Sequence, residues 1–225
     1  MRENPRMVAP GQRSPVRLRK GASPAPGVVR IIGGRWRGSK LPVAAVAGLR
    51  PTSDRVRETL FNWLQPMLAD ARVLDAFAGS GALGLEAASR GAAQVVLLEN
   101  HPLLAASLRE QAQRLGGGEA AGLVGVVQDD VLRWLARVPA ATFDLVFLDP
   151  PFGADLWAPA LAALDPWLAP DAWLYVESPR DNAPEPGRGW LAHRQGHTRD
   201  VRFALYRRDA ATLHSVSAEQ GSARA

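Results

Sequence analysis

The segment Asp149-Pro150-Pro151-Phe152 has residue types that could bind and orient an amine. It follows Phe143–Leu148, an apolar run with the length of a buried strand. Two successive prolines remove two backbone donors and stiffen the turn, so neighbouring carbonyls can face outward as acceptors. The Asp149 carboxylate adds an acceptor, and Phe152 adds a flat face. Acceptors beside a flat ring suit an exocyclic amine on an aromatic base, although a motif of four residues could also do no more than end a strand.

A second motif has the spacing of a ligand-binding loop. Residues 72–84 predict a strand, a tight turn and a helix, and Gly79, Gly81 and Gly84 match the pattern G-x-G-x-x-G. Glycine lets a ligand approach the backbone closely, and the helix that follows presents free N–H groups. The pattern alone would also fit a dinucleotide.

Two carboxylates near this loop favour a different ligand. Asp75 ends the strand before the turn, where it would disfavour a pyrophosphate but could accept hydrogen bonds from a cationic amino-acid group. Glu99 ends the next apolar run, 94–98, and lies 20 residues after Gly79. That is the distance at which an acid commonly binds ribose hydroxyls.

These motifs resemble those of the S-adenosylmethionine-dependent methyltransferases of the Rossmann-like class. In addition, residues 30–38 and 49–64 closely resemble the RsmD family, and the motif-by-motif match covers about residues 28–208. Members of that family methylate the exocyclic N2 of one guanine in 16S ribosomal RNA. The resemblance implies S-adenosyl-L-methionine as the cofactor, and ribosomal RNA in the small ribosomal subunit or its assembly intermediate as the partner.

The resemblance and the chemistry of the residues together assign three sets of site residues. The catalytic set is Asp149, Pro150, Pro151 and Phe152. The cofactor-binding set is Asp75, Phe77, Gly79, Ser80, Gly81, Glu99 and Asp130. The RNA-binding set is Arg35, Trp36, Arg37, Lys40, Arg50, Arg55 and Arg57.

Several residues have a structural alternative. Asp129 and Asp130 open a predicted helix, so one of them could be its N-cap, while the family pattern favours Asp130 as an adenine contact. Phe77 could pack in the core or line the cofactor pocket. Glu177 ends the fifth main strand and could position the base or be a surface acid. The tryptophans in regular elements are expected to be packing residues, namely Trp134, Trp157, Trp167 and Trp173.

Composition excludes several classes of function. The chain of 225 residues has no cysteine, which rules out disulfides, cysteine-ligated metals and a cysteine nucleophile. Methylation at a pyrimidine carbon usually needs that nucleophile, so the acceptor is expected to be nitrogen or oxygen. His193 and His197 flank Gly196 in a predicted strand, and no metal site is expected there. Without an apolar leader or a run of about 18 apolar residues, a cytoplasmic protein is expected, and we expect a monomer.

The charge distribution is uneven. The net charge is +5, yet residues 1–40 carry ten Lys and Arg with one acid, Glu3, so the rest carries −4. Residues 1–27 are rich in Pro, Gly and Ser and predict a disordered basic tail. Residues 30–40 combine cations with Trp36 as a stacking ring, which favours RNA contact.

The periodicity predicts an α/β fold with a mostly parallel seven-stranded sheet, one antiparallel strand, and an N-terminal β hairpin and helix. The predicted divisions are a tail at 1–27, an RNA-contacting extension at 28–70, a methyltransferase domain at 71–208 and a disordered tail at 209–225. The predicted elements are a hairpin at 28–43, helices near 54–65, 82–90, 101–115, 130–138 and 155–168, and strands near 72–77, 94–99, 123–127, 143–148, 172–177, 189–195 and 200–207.

Three other functions compete with the one that the resemblance implies. An adenine-N6 or cytosine-N4 methyltransferase acting on DNA or another RNA would use the same turn, but on DNA it would usually need a target-recognition domain for which the chain has little room. A nicotinamide dehydrogenase predicts an apolar residue in place of Asp75 and a catalytic His or Tyr-Lys set. A non-catalytic RNA-binding module would not need both motifs.

Overall fold

The computed structural model describes residues 27–44, 46, 52–116 and 123–209. The predicted tails lie outside this part of the chain except for Gly27 and Asp209, and Arg50 also lies outside it. The strands are β1 Gly27–Arg30, β2 Lys40–Val43, β3 Arg72–Asp75, β4 Gln94–Glu99, β5 Val124–Gln128, β6 Phe143–Leu148, β7 Leu168–Pro179, β8 Trp190–His197 and β9 Val201–Arg208. The helices are α1 Asp54–Leu64, α2 Gly84–Ser89, α3 Pro102–Gly116, α4 Val131–Leu135 and α5 Trp157–Leu164.

The main sheet has seven strands in the order β5-β4-β3-β6-β7-β9-β8. Strands β3 to β7 pair in parallel, and β9 runs antiparallel to both of its neighbours. β1 and β2 form a separate antiparallel hairpin. The predicted fold class is therefore confirmed. Because the parallel strands end together, their carboxyl ends form one edge of the sheet, called here the carboxyl edge, and the opposite edge is the amino edge.

Apolar side chains cover both faces of this sheet. One core packs the hairpin, α1, α2 and α3 against the sheet, and it contains Ile31, Leu60, Leu85, Leu108 and Phe147. The other packs α4 and α5 against the opposite face. Trp134, Trp157 and Trp167 are buried in the second core as predicted, and Trp173 packs against the first while partly exposed.

A buried charged cluster joins the N-terminal extension to α2. The Glu86 carboxylate is fully buried and accepts hydrogen bonds from the backbone N–H groups of Ile32 at 2.7 Å and Gly33 at 2.8 Å, and from Arg90 Nε at 2.7 Å. Its Oε2 lies 3.6 Å from Arg57 Nη1. Gly34 has a φ of 74° at this contact, and a Cβ there would lie 1.9 Å from the Ser89 carbonyl oxygen. The predicted extension at 28–70 therefore shares a core and polar contacts with the sheet-forming part of the chain.

Some element boundaries differ from the sequence predictions. β7 begins at Leu168 rather than near 172, because Leu168 pairs with Phe143 before a register shift in which Pro170 is accommodated. α4 ends at Leu135, ahead of Pro139, and α5 begins at Trp157 after Asp155, which has a φ of 48°. In the described ranges no helix is long and apolar enough to cross a bilayer.

Candidate active site

Four carboxylate side chains lie at the carboxyl edge of the sheet. Asp75 ends β3 and Glu99 ends β4, while Asp149 follows β6 and Glu177 lies on β7 next to Val176, the partner of Leu148. Asp75, Glu99 and Glu177 are buried, and Asp149 is half-buried. The parallel register therefore brings the glycine loop and the Asp-Pro-Pro-Phe turn together at one edge.

Two of these acids fix the conformation of the glycine loop by hydrogen bonds. Gly79 and Gly81 have φ values of 52° and 76°, and a Cβ on Gly81 would lie 2.6 Å from a methyl carbon of Leu108. The Gly79 N–H donates to Glu99 Oε2 at 2.9 Å, and the Gly84 N–H donates to Asp75 Oδ2 at 2.9 Å. Both carboxylates thus fix the loop and still retain acceptor capacity.

Asp75 has an unusual environment for a carboxylate. It is 2% exposed, and burial raises its pKa to about 7, opposed by the hydrogen bond from the Gly84 N–H and reinforced by the charge of Glu99. An acid with this pKa changes charge near neutrality and is best ionised opposite a cation.

The surroundings of Glu99 fit a ligand with hydroxyl groups. Glu99 is 8% exposed, and its Oε1 accepts from the His101 N–H at 2.8 Å. His101 Nδ1 is buried and has no hydrogen-bond partner within the described residues. An unpaired buried nitrogen beside a buried carboxylate is expected where a polar ligand or water completes the site.

Asp130 and Phe77 have structural roles that leave the predicted ones open. Asp130 is the N-cap of α4, and its Oδ1 accepts from the Arg133 N–H at 3.0 Å. Asp129 is buried and forms ion pairs with Arg133 and Arg137. Phe77 is partly buried against the α4–α5 core.

The Asp149-Pro150-Pro151-Phe152 turn presents acceptors and a ring. Within the described chain, the Asp149 and Pro150 carbonyls accept no backbone hydrogen bond outside the regular elements, whereas the Pro151 carbonyl accepts from the Ala154 N–H at 3.0 Å. The Phe152 ring is 41% exposed, and its centroid lies 5.9 Å from that of the buried Trp157. The turn can therefore offer two carbonyls, a carboxylate and an exposed aromatic face to one base.

Glu177 is a buried member of this site and not a surface acid. It is 7% exposed, and its Oε2 accepts from Tyr175 Oη at 2.9 Å and from Thr52 Oγ1 at 3.2 Å. Burial raises the pKa of Glu177, while the hydrogen bonds from Tyr175 and Thr52 lower it. Burial also raises the pKa of Asp149 well above its usual value, and the charges of Glu177 and Asp75 add to this effect. No direct signal for Thr52 was present in the sequence beyond its place in the family-like stretch 49–64.

The predicted RNA-binding residues of the hairpin lie away from this edge. The Arg35 N–H donates to the carbonyl of Ser89, the last residue of α2, at 2.8 Å. The adjacent Gly91 carbonyl accepts from Asp70, just before β3 begins, so this end of α2 lies at the amino edge. Arg35, Arg37 and Lys40 are exposed there, with Arg35 5.7 Å above the Trp36 ring.

The two described arginines of α1 differ from each other. Arg55 is exposed in the first turn. Arg57 is fully buried, and its Nη2 donates to Asp54 Oδ1 at 2.6 Å and to the Arg30 carbonyl at 2.9 Å. Its guanidinium is therefore inaccessible to RNA, and the expectation that Arg57 is an RNA contact was wrong. The sequence did not predict the burial of Arg57, because arginine is rarely fully buried unless it is paired.

Histidine pairing gives no metal site in the described ranges. No group of three or more His, Cys, Asp or Glu residues is placed to hold a metal ion in that part of the chain. His193 instead contacts the edge of the Trp173 ring, with ring centroids 4.9 Å apart.

A mostly parallel sheet with one antiparallel strand, a glycine loop flanked by acids and an Asp-Pro-Pro-Phe turn define the Rossmann-like methyltransferase class. Comparison with known proteins agrees. A solved Escherichia coli structure is 45% identical, covers 82% of this chain and 99% of that one, and superposes with a TM-score of 0.73. A methyltransferase from Geobacter sulfurreducens shares only the fold, with 14% identity and a TM-score of 0.54.

Sequence comparison identifies the family within that class. The pattern of the family described as Conserved hypothetical protein 95 matches residues 29–207. Ribosomal RNA small subunit methyltransferase D of Escherichia coli K12 is 46% identical over 187 residues, which is 82% of this chain and 92% of the relative. The protein of the same name from Haemophilus influenzae is 44% identical over 81% of this chain and 95% of the relative. The chain belongs to this family, the RsmD family.

Proposed function

We propose that the protein transfers a methyl group from S-adenosyl-L-methionine to the exocyclic N2 amine of a guanine in 16S ribosomal RNA. The observation that carries this proposal is the turn in which Asp149 and Pro150 offer acceptors beside the exposed Phe152 ring, at the same edge of the sheet as the glycine loop. Two relatives, 46% and 44% identical to this chain, are named as small-subunit ribosomal RNA methyltransferases.

The acids around the loop suit the cofactor. Asp75 would accept hydrogen bonds from its amino-acid ammonium group, and Glu99 from its ribose hydroxyls. Gly79, Ser80 and Gly81 would let it approach the backbone closely. Phe77, after β3, and Asp130, after β5, would contact the adenine. When bound, S-adenosylmethionine supplies the electrophilic methyl carbon.

The remaining chemistry falls to the turn. The amine of guanine is a weak nucleophile because its lone pair is delocalised into the ring. Asp149 and the Pro150 carbonyl would accept the two amine hydrogens and hold the lone pair out of conjugation with the ring and in line with the methyl carbon. The stiff Pro150-Pro151 unit would keep both acceptors in position. Positioning of this kind can lower a barrier by several kcal/mol. As positive charge develops on nitrogen, both acceptors bind more tightly, which stabilises the transition state selectively. The nitrogen would gain the methyl group as the methyl–sulfur bond breaks, and it would lose one proton after the transfer, so no strong general base is required.

Phe152 and the hairpin would handle the RNA. Phe152 would stack on the base after it leaves its RNA context, as aromatic side chains do for unstacked bases. Trp36, Arg35, Arg37 and Lys40 would bind RNA at the amino edge, with Arg50 and Arg55 completing the proposed set. The substrate would be a cytoplasmic small subunit or its assembly intermediate, and the protein would bind it as a monomer.

The test is incubation with radiolabelled S-adenosylmethionine and small subunits that lack the modification, followed by nucleoside analysis. The expected product is N2-methylguanosine from 16S RNA, and Asp149→Ala run in parallel controls for contaminating activity. Label in methylated adenosine or cytidine would contradict the guanine-N2 assignment. Label in DNA but none in RNA would favour the competing DNA amino-methyltransferase.

A further inference from the structure

A second cationic surface lies in the C-terminal strands of the sheet. Residues 188–208 contain six arginines and one acid, Asp200, whereas residues 41–187 contain ten Lys and Arg and eighteen Asp and Glu. The strongly basic segment is therefore not restricted to the N-terminal arm. It coincides with the hairpin formed by β8 and β9.

The register places one end of this hairpin beside the candidate active site. Arg202 pairs with Ser178, the residue after Glu177, and His197 pairs with Arg202. The Arg180 N–H donates to the Asp200 carbonyl at 3.0 Å, which fixes the β8–β9 turn to the end of β7. Since β6, β7 and β9 are consecutive strands, the backbone of Arg202 lies about 10 Å from that of Asp149 at ordinary strand spacing.

Two of the three arginines at this end are exposed, and the third, Arg202, is half-buried. Arg180 and Arg199 are exposed, and Arg199 has only a 3.9 Å ion pair with the equally exposed Asp200. Arg202 donates to Gln195 Oε1 at 3.3 Å on the surface. Exposed pairs of this kind contribute about 0–1 kcal/mol, so these cations can exchange their partners for phosphate at little cost.

We propose that Arg180, Arg199 and Arg202, called here the edge arginines, bind the phosphates of the ribosomal RNA strand that flanks the target base. This inference rests on the proposed function and adds a surface to it. The tip of the β1–β2 hairpin lies at the amino edge and cannot place a base at Asp149. The edge arginines lie at the carboxyl edge, where the base must enter. Guanidinium groups bind phosphate through paired donors, and the His197 ring adds a stacking surface.

The alternative role for such arginines is protection of an edge strand. β8 is the last strand of the sheet and is exposed along most of its length, and charged side chains on such strands prevent pairing with other chains. Protection of the strand can use charge anywhere along it, whereas phosphate binding near the base needs charge at the carboxyl edge. The two roles therefore differ in which arginines can be removed without loss of RNA binding.

The experiment compares Arg199→Ala/Arg202→Ala with Arg188→Ala/Arg207→Ala. The second pair removes the same charge from the amino-edge end, where Arg188 precedes β8 and Arg207 lies on β9 opposite Trp173. Both residues are exposed, and the Arg207 guanidinium lies 5.8 Å from the Trp173 ring centroid. Binding to unmodified 16S RNA and to small subunits is measured over a salt series, together with methyl transfer and calorimetric titration with S-adenosylmethionine. Two lost phosphate contacts should make the salt slope shallower by about 1.4 for a single strand or 1.8 for a duplex.

For Arg199→Ala/Arg202→Ala, the edge pair, we expect a shallower salt slope of RNA binding and a lower kcat/KM, with unchanged cofactor affinity. Arg188→Ala/Arg207→Ala should show neither change. An unchanged slope for the edge pair overturns the inference, as does an equal change in both pairs or aggregation without loss of RNA binding. Weaker binding to subunits with an unchanged slope on naked RNA points to a ribosomal protein contact and also overturns it. If the wild-type protein binds RNA with the expected salt slopes but forms no N2-methylguanosine, the proposed function is contradicted, whereas the proposed phosphate-binding surface is not.

Discussion

Asp149 and Glu177 lie on neighbouring strands at the carboxyl edge, and the charge of Glu177 makes ionisation of Asp149 less favourable. Burial is the main cause of the raised pKa of both, and the hydrogen bonds from Thr52 and Tyr175 stabilise the ionised form of Glu177. Two carboxyl groups on neighbouring strands cannot both ionise freely, because their negative charges repel each other. The acceptor strength of Asp149 therefore depends on side chains that need not touch the base.

The first prediction at this scale concerns Asp149 itself. Asp149→Ala should bind S-adenosylmethionine normally but lose methyl transfer by about a hundredfold or more, as expected when a group that stabilises developing charge is removed. Single-turnover assays and calorimetry would measure the two effects. Asp149→Asn is the control, since it keeps one oxygen acceptor and should retain more activity. Near wild-type transfer by the alanine variant would remove Asp149 from the mechanism.

Glu177 gives a prediction about pH. Its charge raises the pKa of Asp149, so Glu177→Gln should lower that pKa while keeping an acceptor for Thr52 and Tyr175. Asp149 would then stay ionised at lower pH, and the acidic limb of the kcat/KM profile should move to lower pH. Tyr175→Phe is a matched control that removes one hydrogen bond and no charge. A limb that moves to higher pH, or does not move, contradicts the proposed coupling.

Asp75 gives a prediction about cofactor affinity. Its pKa is raised to about 7, chiefly by burial, and only the ionised form can pair with an ammonium group. Affinity should therefore increase as pH rises from about 5.5 to 7.5, below the range where the α-amino group of the ligand itself loses its proton, about 7.7–8.0. Asp75→Asn can still accept from the Gly84 N–H, but it should bind more weakly by about 1.5–3 kcal/mol and show no such pH dependence. Calorimetry across this range decides the matter, and a variant with the wild-type pH dependence would exclude Asp75.

At the scale of elements, the sequence predicted the kind and order of every α-helix and strand in the described part. Periodic apolar runs and turn residues account for this success, as in β4 and β6, whose bounds match the predicted ones. Boundaries moved where tertiary pairing extended a strand, as at Leu168. The positions of Glu86 and Arg57 could not be predicted, because helical spacing shows which residues share a face but not that two charges will meet inside.

The Glu86 cluster gives a prediction about stability. Glu86→Gln would leave the buried Arg57 guanidinium without its buried counter-charge, and breaking a buried pair in this way typically costs about 3–5 kcal/mol. Asp54→Asn is the matched control, because it removes the partner of Arg57 whose side chain is 70% exposed. That variant should lose at most about 1 kcal/mol. Urea unfolding of both proteins measures the difference, and equal losses would contradict a central role for Glu86.

At the scale of the whole molecule, cations lie at both edges of the sheet while the acids of the site lie at one. The chain places the exposed Arg35, Arg37 and Lys40 at the amino edge and the edge arginines at the carboxyl edge. The sequence could show that the hairpin was basic, but only the contact between Arg35 and Ser89 showed which edge it occupies. A bound RNA would therefore have to extend across the molecule to contact both surfaces.

This arrangement gives a prediction for Arg35→Ala/Arg37→Ala. Because the hairpin tip is remote from Asp149, the variant should raise KM for RNA and flatten the salt slope by about 1.4–1.8 for two phosphate contacts, with a smaller change in kcat. If these residues instead placed the target base, activity would fall even at high RNA concentration. Steady-state assays over RNA concentration and salt distinguish the two. Trp36→Ala tests the stacking contribution without changing charge, so it should weaken binding and leave the slope intact. If Arg35→Ala/Arg37→Ala lowered kcat strongly at saturating RNA while KM and the slope stayed at wild-type values, the hairpin would have to act on the target base, against its position at the amino edge.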